Sequence, residues 1–158
     1  MIRSDPLTAL ENAPDHALAI TAAAHVDQAL ELLLRSRFRD LTTEEYERLF
    51  GENGSGVLAT PAAKIRVGYA VGFYEKEAYS DLLLVISIRD AFAHSVDTVT
   101  FNSEHVCRDC RQLSIVKRRK DMYPDTEPFD ARSAYFDTAL DLCSGIKCDI
   151  RGDLAWAV

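Results

Sequence analysis

From Asp15 to Asp40 the chain reads DHALAITAAAHVDQALELLLRSRFRD, with neither glycine nor proline and a surplus of alanine and leucine. These residues lose little freedom in a helix, and nothing in the run interrupts one. Leu18, Ala22, Val26, Ala29, Leu30 and Leu33 recur at spacings of three and four, which places them on one face. A helix this long must cover that stripe with other elements, and the remaining sequence offers helices to do it. Thr42 to Glu45 forms a capping box that starts a short helix through Phe50, and GENGSG (51–56) breaks it as a turn. Thr60 followed by Pro61 launches a third helix that Gly72 ends. A fourth is expected from Glu75 to His94, with acids at its start and a histidine at its end to complement the dipole.

Phe101 and Val106 bracket Asn102 as a staple around an N-cap, so NSEHVCRDCRQLSIVKRR (102–119) is expected to form one fifth helix. DMYPDTEPF (121–129) reads as a linker, and DARSAYFDTALDLCS as a last helix ending at Gly145. No segment shows sustained period-two alternation. LLLVISI (82–88) could be a buried strand taken alone, but its flanks continue a helical pattern. The expected fold is all-α: an antiparallel helical bundle of about five to six helices with a short appended C-terminal helix. The chain is read as a single helical domain, 1–158, with a core at about 15–114 and a C-terminal extension at about 115–158.

The net charge of -7 argues against partners held through a phosphate backbone. The acids and prolines of the first residues do not suit a secretory signal, and no stretch is expected to supply the roughly 20 apolar residues of a membrane span. A soluble, cytoplasmic protein without a membrane role is the expectation. Cys107, Cys110, Cys143 and Cys148 could in principle ligate zinc. Cys107 and Cys110, however, sit in a helical segment without the turn that flanks a zinc knuckle, so free thiols are the better reading and no metal site or cofactor is expected.

AKIRVGYAVGF (63–73), KEAYSDLLLVISIRDAFAHS (76–95) and TFNSEHVCRDCRQL (100–113) follow one another in the order seen in the mannitol operon repressor family, which the chain resembles from about residue 18 to 113. That family has an Ala-Arg-Ile…Tyr-Ala-Leu-Gly segment, then a Lys-Glu-x-Tyr-x-Asp-Leu…Ile-Arg-Asn-x-Phe-Ala-His helix, then a Ser-Phe-Asp segment. LFGENG (49–54) resembles its Gly-x-Asn-Gly turn. Lys64 stands where the family has arginine, Asp90 where it has asparagine, and Glu75 where it has a capping serine. The segment from about 115 onward has no recognised counterpart. The resemblance implies a non-enzymatic transcriptional regulator without a DNA-reading helix-turn-helix, acting through a protein partner in transcription or sugar uptake. A homodimer is expected, and direct DNA binding is not.

SIRDAFAHS (87–95) also resembles the Arg-x4-6-His signature of HEPN domains, which include metal-independent ribonucleases. Under that alternative His94 would serve as general acid/base, Arg89 would clamp the phosphate, and Asp90 would occupy the polar position after the arginine. On a regular helix Arg89 and His94 lie about 140° apart, so a composite site would need a second copy packed on the face of Leu83, Ile86, Asp90 and Ala93. Asp27 and His25 are weaker candidates, Asp27 as an orienter of His94. The competing structural reading puts Leu84, Val85, Ile88 and Phe92 in the core and leaves His94 at the helix end. Lys117, Arg118, Arg119 and Lys120 form a basic run that could touch RNA or an acidic partner, although such runs are more often solvated.

Overall fold

In the computed structural model the described residues are 7–51, 55–95, 98–122 and 129–150, and they form seven α-helices and no strand. α1 (Asp15–Arg37) is the central helix, and it packs against α7 (Ala131–Ile150), α4 (Lys76–His94) and α3 (Pro61–Ala70). Every residue of its expected stripe, from Leu18 to Leu33, is buried. Alanines at 19, 22, 23 and 29 on α1 and at 131, 134 and 139 on α7 are buried together in one core. Small side chains let the two backbones approach, and the fully buried Tyr135 hydroxyl donates to the Ala19 carbonyl oxygen at 2.8 Å.

α1 also corrects an expectation. By length and composition it is long and apolar enough to cross a membrane, and half of that window is buried inside the protein. Its apolarity serves the core, where α7, α4 and α3 cover it.

The local signals at helix starts act as read. Ahead of α2 (Thr43–Phe50), the Thr42 hydroxyl accepts from the Glu45 amide and the Glu45 carboxylate accepts from the Thr42 amide. Thr60 caps α3 by accepting from Ala63 N at 3.2 Å. α3 ends at Ala70, and Gly72 follows with φ +78°, a left-handed conformation that favours glycine. α4 is continuous, so 82–88 is helix. Residues 52–54 of the GENGSG turn and 123–128 of the linker lie outside the described residues.

Two expected helices differ. The fifth is two: α5 (Glu104–Cys110) and α6 (Ser114–Met122), with turn bonds from Gln112 N to Asp109 O and Leu113 N to Cys110 O between them. Its N-cap position is Ser103 rather than Asn102, and the Ser103 hydroxyl accepts from Thr100 N at 3.1 Å. The break is held from elsewhere in the chain. The buried Asp81 carboxylate of α4 accepts from both the amide and the hydroxyl of Ser114, so it caps α6 across the fold.

The last helix runs through Gly145 to Ile150, because Cys143 and Ile146 continue its buried face beyond the point where glycine was expected to stop it. It is packed along α1 rather than appended, so its buried residues share the larger core with α1. Asp130 accepts from Ser133 N at 3.0 Å at its start. At its second residue, Arg132 donates to Asp15 at 2.6 Å and to the carbonyl oxygens of Glu11 and Ala13, while the other Asp15 oxygen accepts from Phe101 N. That cluster ties the approach to α1, the 98–103 loop and α7 at one end of the bundle.

Candidate functional site

α4 delivers the stretch that raised the nuclease alternative. Leu82, Val85, Ile86, Ile88 and Phe92 are its buried face towards the C-terminal half, with Leu84 only half-buried. Phe92 enters an aromatic column, 5.0 Å from the Phe101 ring and 6.5 Å from His16, and Phe101 in turn lies 5.3 Å from Tyr135. Arg89 is 29% exposed, with Nε 3.1 Å from Asp90 Oδ1. That Nε is itself buried, and the contact with Asp90 lacks the alignment of a hydrogen bond. Burial pushes the Tyr135 hydroxyl far up, and the Arg89 charge nearby acts in the opposite direction.

His94 is exposed at the last position of α4. The helix stays wound to that residue, so the separation of about 140° between Arg89 and His94 stands. Among the described residues no hydrogen bond, ion pair or ring contact joins them. Ile86, on the face where a second copy would pack, is already buried within this chain, which leaves Leu83, Asp90 and Ala93 there.

Asp27 does not orient His94. It belongs to a different cluster, in which the Lys64 ammonium, on a side chain 4% exposed, lies 3.0 Å from Asp27 Oδ2 and 3.0 Å from Glu31 Oε2. The second Glu31 oxygen accepts from the Tyr46 hydroxyl, and the Arg35 guanidinium stacks 4.7 Å from the Tyr46 ring centroid. Burial acts to raise the Glu31 carboxyl, but the Tyr46 and Lys64 donors outweigh it and hold the group below its ordinary range. His25, two residues from Asp27 and so on nearly the opposite side of α1, borders a groove against α7.

The basic run is divided by its surroundings. Arg118 pairs with Asp141 at 3.4 Å and Arg119 with Asp137, both acids on α7, while Lys117 and Lys120 are exposed. None of the four cysteines is in a disulfide. Cys107 donates to the Phe101 carbonyl at 2.9 Å, and burial pushes the Cys110 thiol up to about 12.

A pocket of about 500 Å³ opens where α4, α6 and α7 meet, lined by Glu77, Asp81, Ser114, Arg118 and Asp141 among others. Burial and the Glu77 charge raise the Asp81 carboxyl, and the Ser114 donors and Arg118 only partly offset them. Sequence reading noted Lys64 only as a departure from the family pattern and gave neither it nor Asp81 a role. Each stands at a core register position, Asp81 between Ala78 and Val85, and Lys64 beside Ile65, and an ionisable residue on such a stripe is the available signal.

A family model described as mannitol repressor matches residues 7–141. This chain belongs to the mannitol repressor family. The matched span takes in α1 to α6 and the first half of α7, so the family relationship extends well past residue 113, where the recognised motifs stop. Neither the comparison with curated proteins nor that with solved structures returned a match.

In this mannitol repressor-family chain the motif segments carry internal joints. Lys64 ties α3 to α1. Gly68 leaves room for Tyr74, whose hydroxyl donates to Ile65 O, and Asp81 caps α6.

Proposed function

We propose that this regulator of the mannitol repressor type acts in the cytosol, as a homodimer, through contacts with another protein of transcription or sugar uptake rather than by reading DNA itself. The observation that carries this reading is the pairing of the basic run with α7. Arg118 and Arg119 face Asp141 and Asp137, so the cluster most suited to phosphate is engaged by the chain's own acids. Elsewhere Arg37 pairs with Asp149, Arg132 with Asp15 and Arg89 with Asp90. With a net charge of -7, such a surface gains little from counterion release on DNA.

The test has two arms. The purified chain should show no sequence-selective shift of mannitol-operon DNA at physiological salt, whereas a tagged copy should retain a transcription or sugar-uptake protein from cells. Tight, sequence-selective DNA binding by the chain alone overturns the reading. So would metal-independent RNA cleavage that folded His94→Ala and Arg89→Ala variants both lose, since that result would establish the ribonuclease alternative.

A further inference from the structure

Among the described residues, none between Leu34 and Lys64 enters the larger core that α1, α3, α4 and α7 share. Leu34, Phe50 and Leu58 are buried in a second, smaller cluster, with Tyr46 and Leu49 packed on it from α2 and Ala63 and Val67 from α3. A short helix with its own small core is joined to the bundle by little else.

The hydrogen bonds around α2 close on themselves. The Thr42–Glu45 box satisfies its start, and Gly51 N donates to Glu47 O at its end. The returning chain donates from Val57 N to Arg48 O at 3.3 Å and from Leu58 N to Leu49 O at 2.7 Å. Gly56 lies so close to this end that a Cβ there would stand 2.6 Å from Leu49 O. Among the described residues of 42–59, a single hydrogen bond leaves for the rest of the fold, from the Tyr46 hydroxyl to Glu31 Oε1 on α1. The Arg35 guanidinium, also on α1, covers the same ring.

Glu31 does not depend on that bond. Its other oxygen accepts from Lys64 Nζ at 3.0 Å and its side chain is partly exposed, so an oxygen released by Tyr46 meets water rather than staying unpaired. The joint between α1 and α3 can hold while α2 leaves.

We infer that α2, with the 57–58 segment bonded to it, opens from the bundle as one cooperative unit, and that the Tyr46–Glu31 bond is its latch. The hinges are the exposed Arg39 and Asp40 on one side and Ala59–Thr60 on the other, all outside helices. Opening uncovers Leu34 and the Ala63–Val67 side of α3, whereas the larger core keeps every buried residue it has. The chain thereby has a second state that presents an apolar face hidden in the first. The inference goes beyond the regulator reading and does not rest on it.

Residue-resolved amide exchange of the full chain, followed by NMR through sub-denaturing urea, tests it. The bonded amides from Tyr46 to Gly51, together with Leu58, should share one protection factor. It should lie roughly 100-fold or more below that of the buried turns of α1 and α7, with a weaker urea dependence because less surface is exposed. Tyr46→Phe keeps the ring and removes the latch, so it should speed those amides roughly tenfold and leave α1 and α7 unchanged. Tyr79→Phe removes a hydroxyl that has no hydrogen bond among the described residues, and should move neither set. Protection in α2 equal to that in α1 overturns the inference, because α2 would then open only with the whole chain. Protection at Leu58 unlike that of α2 overturns it too, since the helix would be fraying alone. So does a Tyr46→Phe chain in which α2 exchange is unchanged, in which α1 and α7 speed up equally, or in which the whole fold is lost.

Discussion

Replacing Gly68 by alanine tests the α3–α4 joint with an effect whose sign is opposite to that expected of a helix. Gly68 lies within α3, where alanine would ordinarily stabilise by about 1 kcal/mol. A Cβ at this position would lie 2.6 Å from the Tyr74 hydroxyl oxygen, 2.8 Å from Cε1 and 3.0 Å from Cζ. Ordinary carbon contacts begin near about 3.5 Å, so the ring must retreat by close to 1 Å. Tyr74 is 4% exposed and its hydroxyl donates to Ile65 O, so the retreat strains a packed ring and loosens a buried hydrogen bond. Overpacking costs about 1–3 kcal/mol and an unsatisfied buried hydroxyl about 1–3 kcal/mol. After the helix-propensity gain, Gly68→Ala should destabilise by about 1–5 kcal/mol, lowering Tm by roughly 2–4 °C for each kcal/mol. Urea and thermal unfolding of Gly68→Ala, Tyr74→Phe and the double variant measure it. Removing the hydroxyl deletes the closest contact, so the alanine penalty should shrink in the Tyr74→Phe background by about 1 kcal/mol or more, without vanishing. An unchanged or raised stability of Gly68→Ala, or an equal penalty in both backgrounds, would show that the close approach does not constrain the fold.

The half-buried Glu31 and the buried Asp81 should give opposite pH dependences. Glu31 is held below its ordinary range, so its contribution is present above about pH 4.5 and is lost as pH falls through the folded value. Glu31→Gln should therefore cost about 1–2 kcal/mol near neutrality and progressively less in acid, as followed by urea midpoints against pH. Asp81 is raised, chiefly by burial, so its ionisation opposes folding and the wild-type chain gains stability from this group as pH falls through the raised value. Asp81→Asn retains an acceptor for Ser114 N and should remove that component, flattening the difference between mildly acidic and neutral midpoints. A difference profile with the opposite slope would contradict the assignment.

The parts of the fold legible in the sequence are those whose cause lies within one or two helical turns. The Thr42–Glu45 box, the Thr60–Pro61 start, Gly72 and the stripe from Leu18 to Leu33 each depend on neighbours a few residues away, and each sits as its local pattern dictates. What escaped depends on partners distant in sequence. The end of α5 and the start of α6 are set by Asp81, and nothing between Asn102 and Arg119 carries that information. Gly145 looks like a stop because glycine costs about 1 kcal/mol in a helix, yet burial of Cys143 and Ile146 is worth more than that. The run at 117–120 reads as free positive charge until α7 brings Asp137 and Asp141 alongside.

The same distinction decides what SIRDAFAHS can mean. A spacing of five residues is visible in sequence, but chemistry needs two groups on one substrate, and a helix wound through to His94 turns them apart. Phe92 between them is fixed in the aromatic column, which ties this turn to α7 and to the 98–103 loop. Unwinding the turn to bring His94 round would pull Phe92 from its buried site, and exposing a core phenylalanine costs about 1.5–3 kcal/mol before any substrate contact is made. The alternative leaves the turn intact and imports His94 from a second copy. That copy would have to reach a guanidinium which already faces Asp90 and whose Nε is enclosed beside Tyr135, on a face whose Ile86 is spent inside the chain. Either route works against interactions the folded chain already makes, whereas a role as the packed end of α4 requires none of them to change.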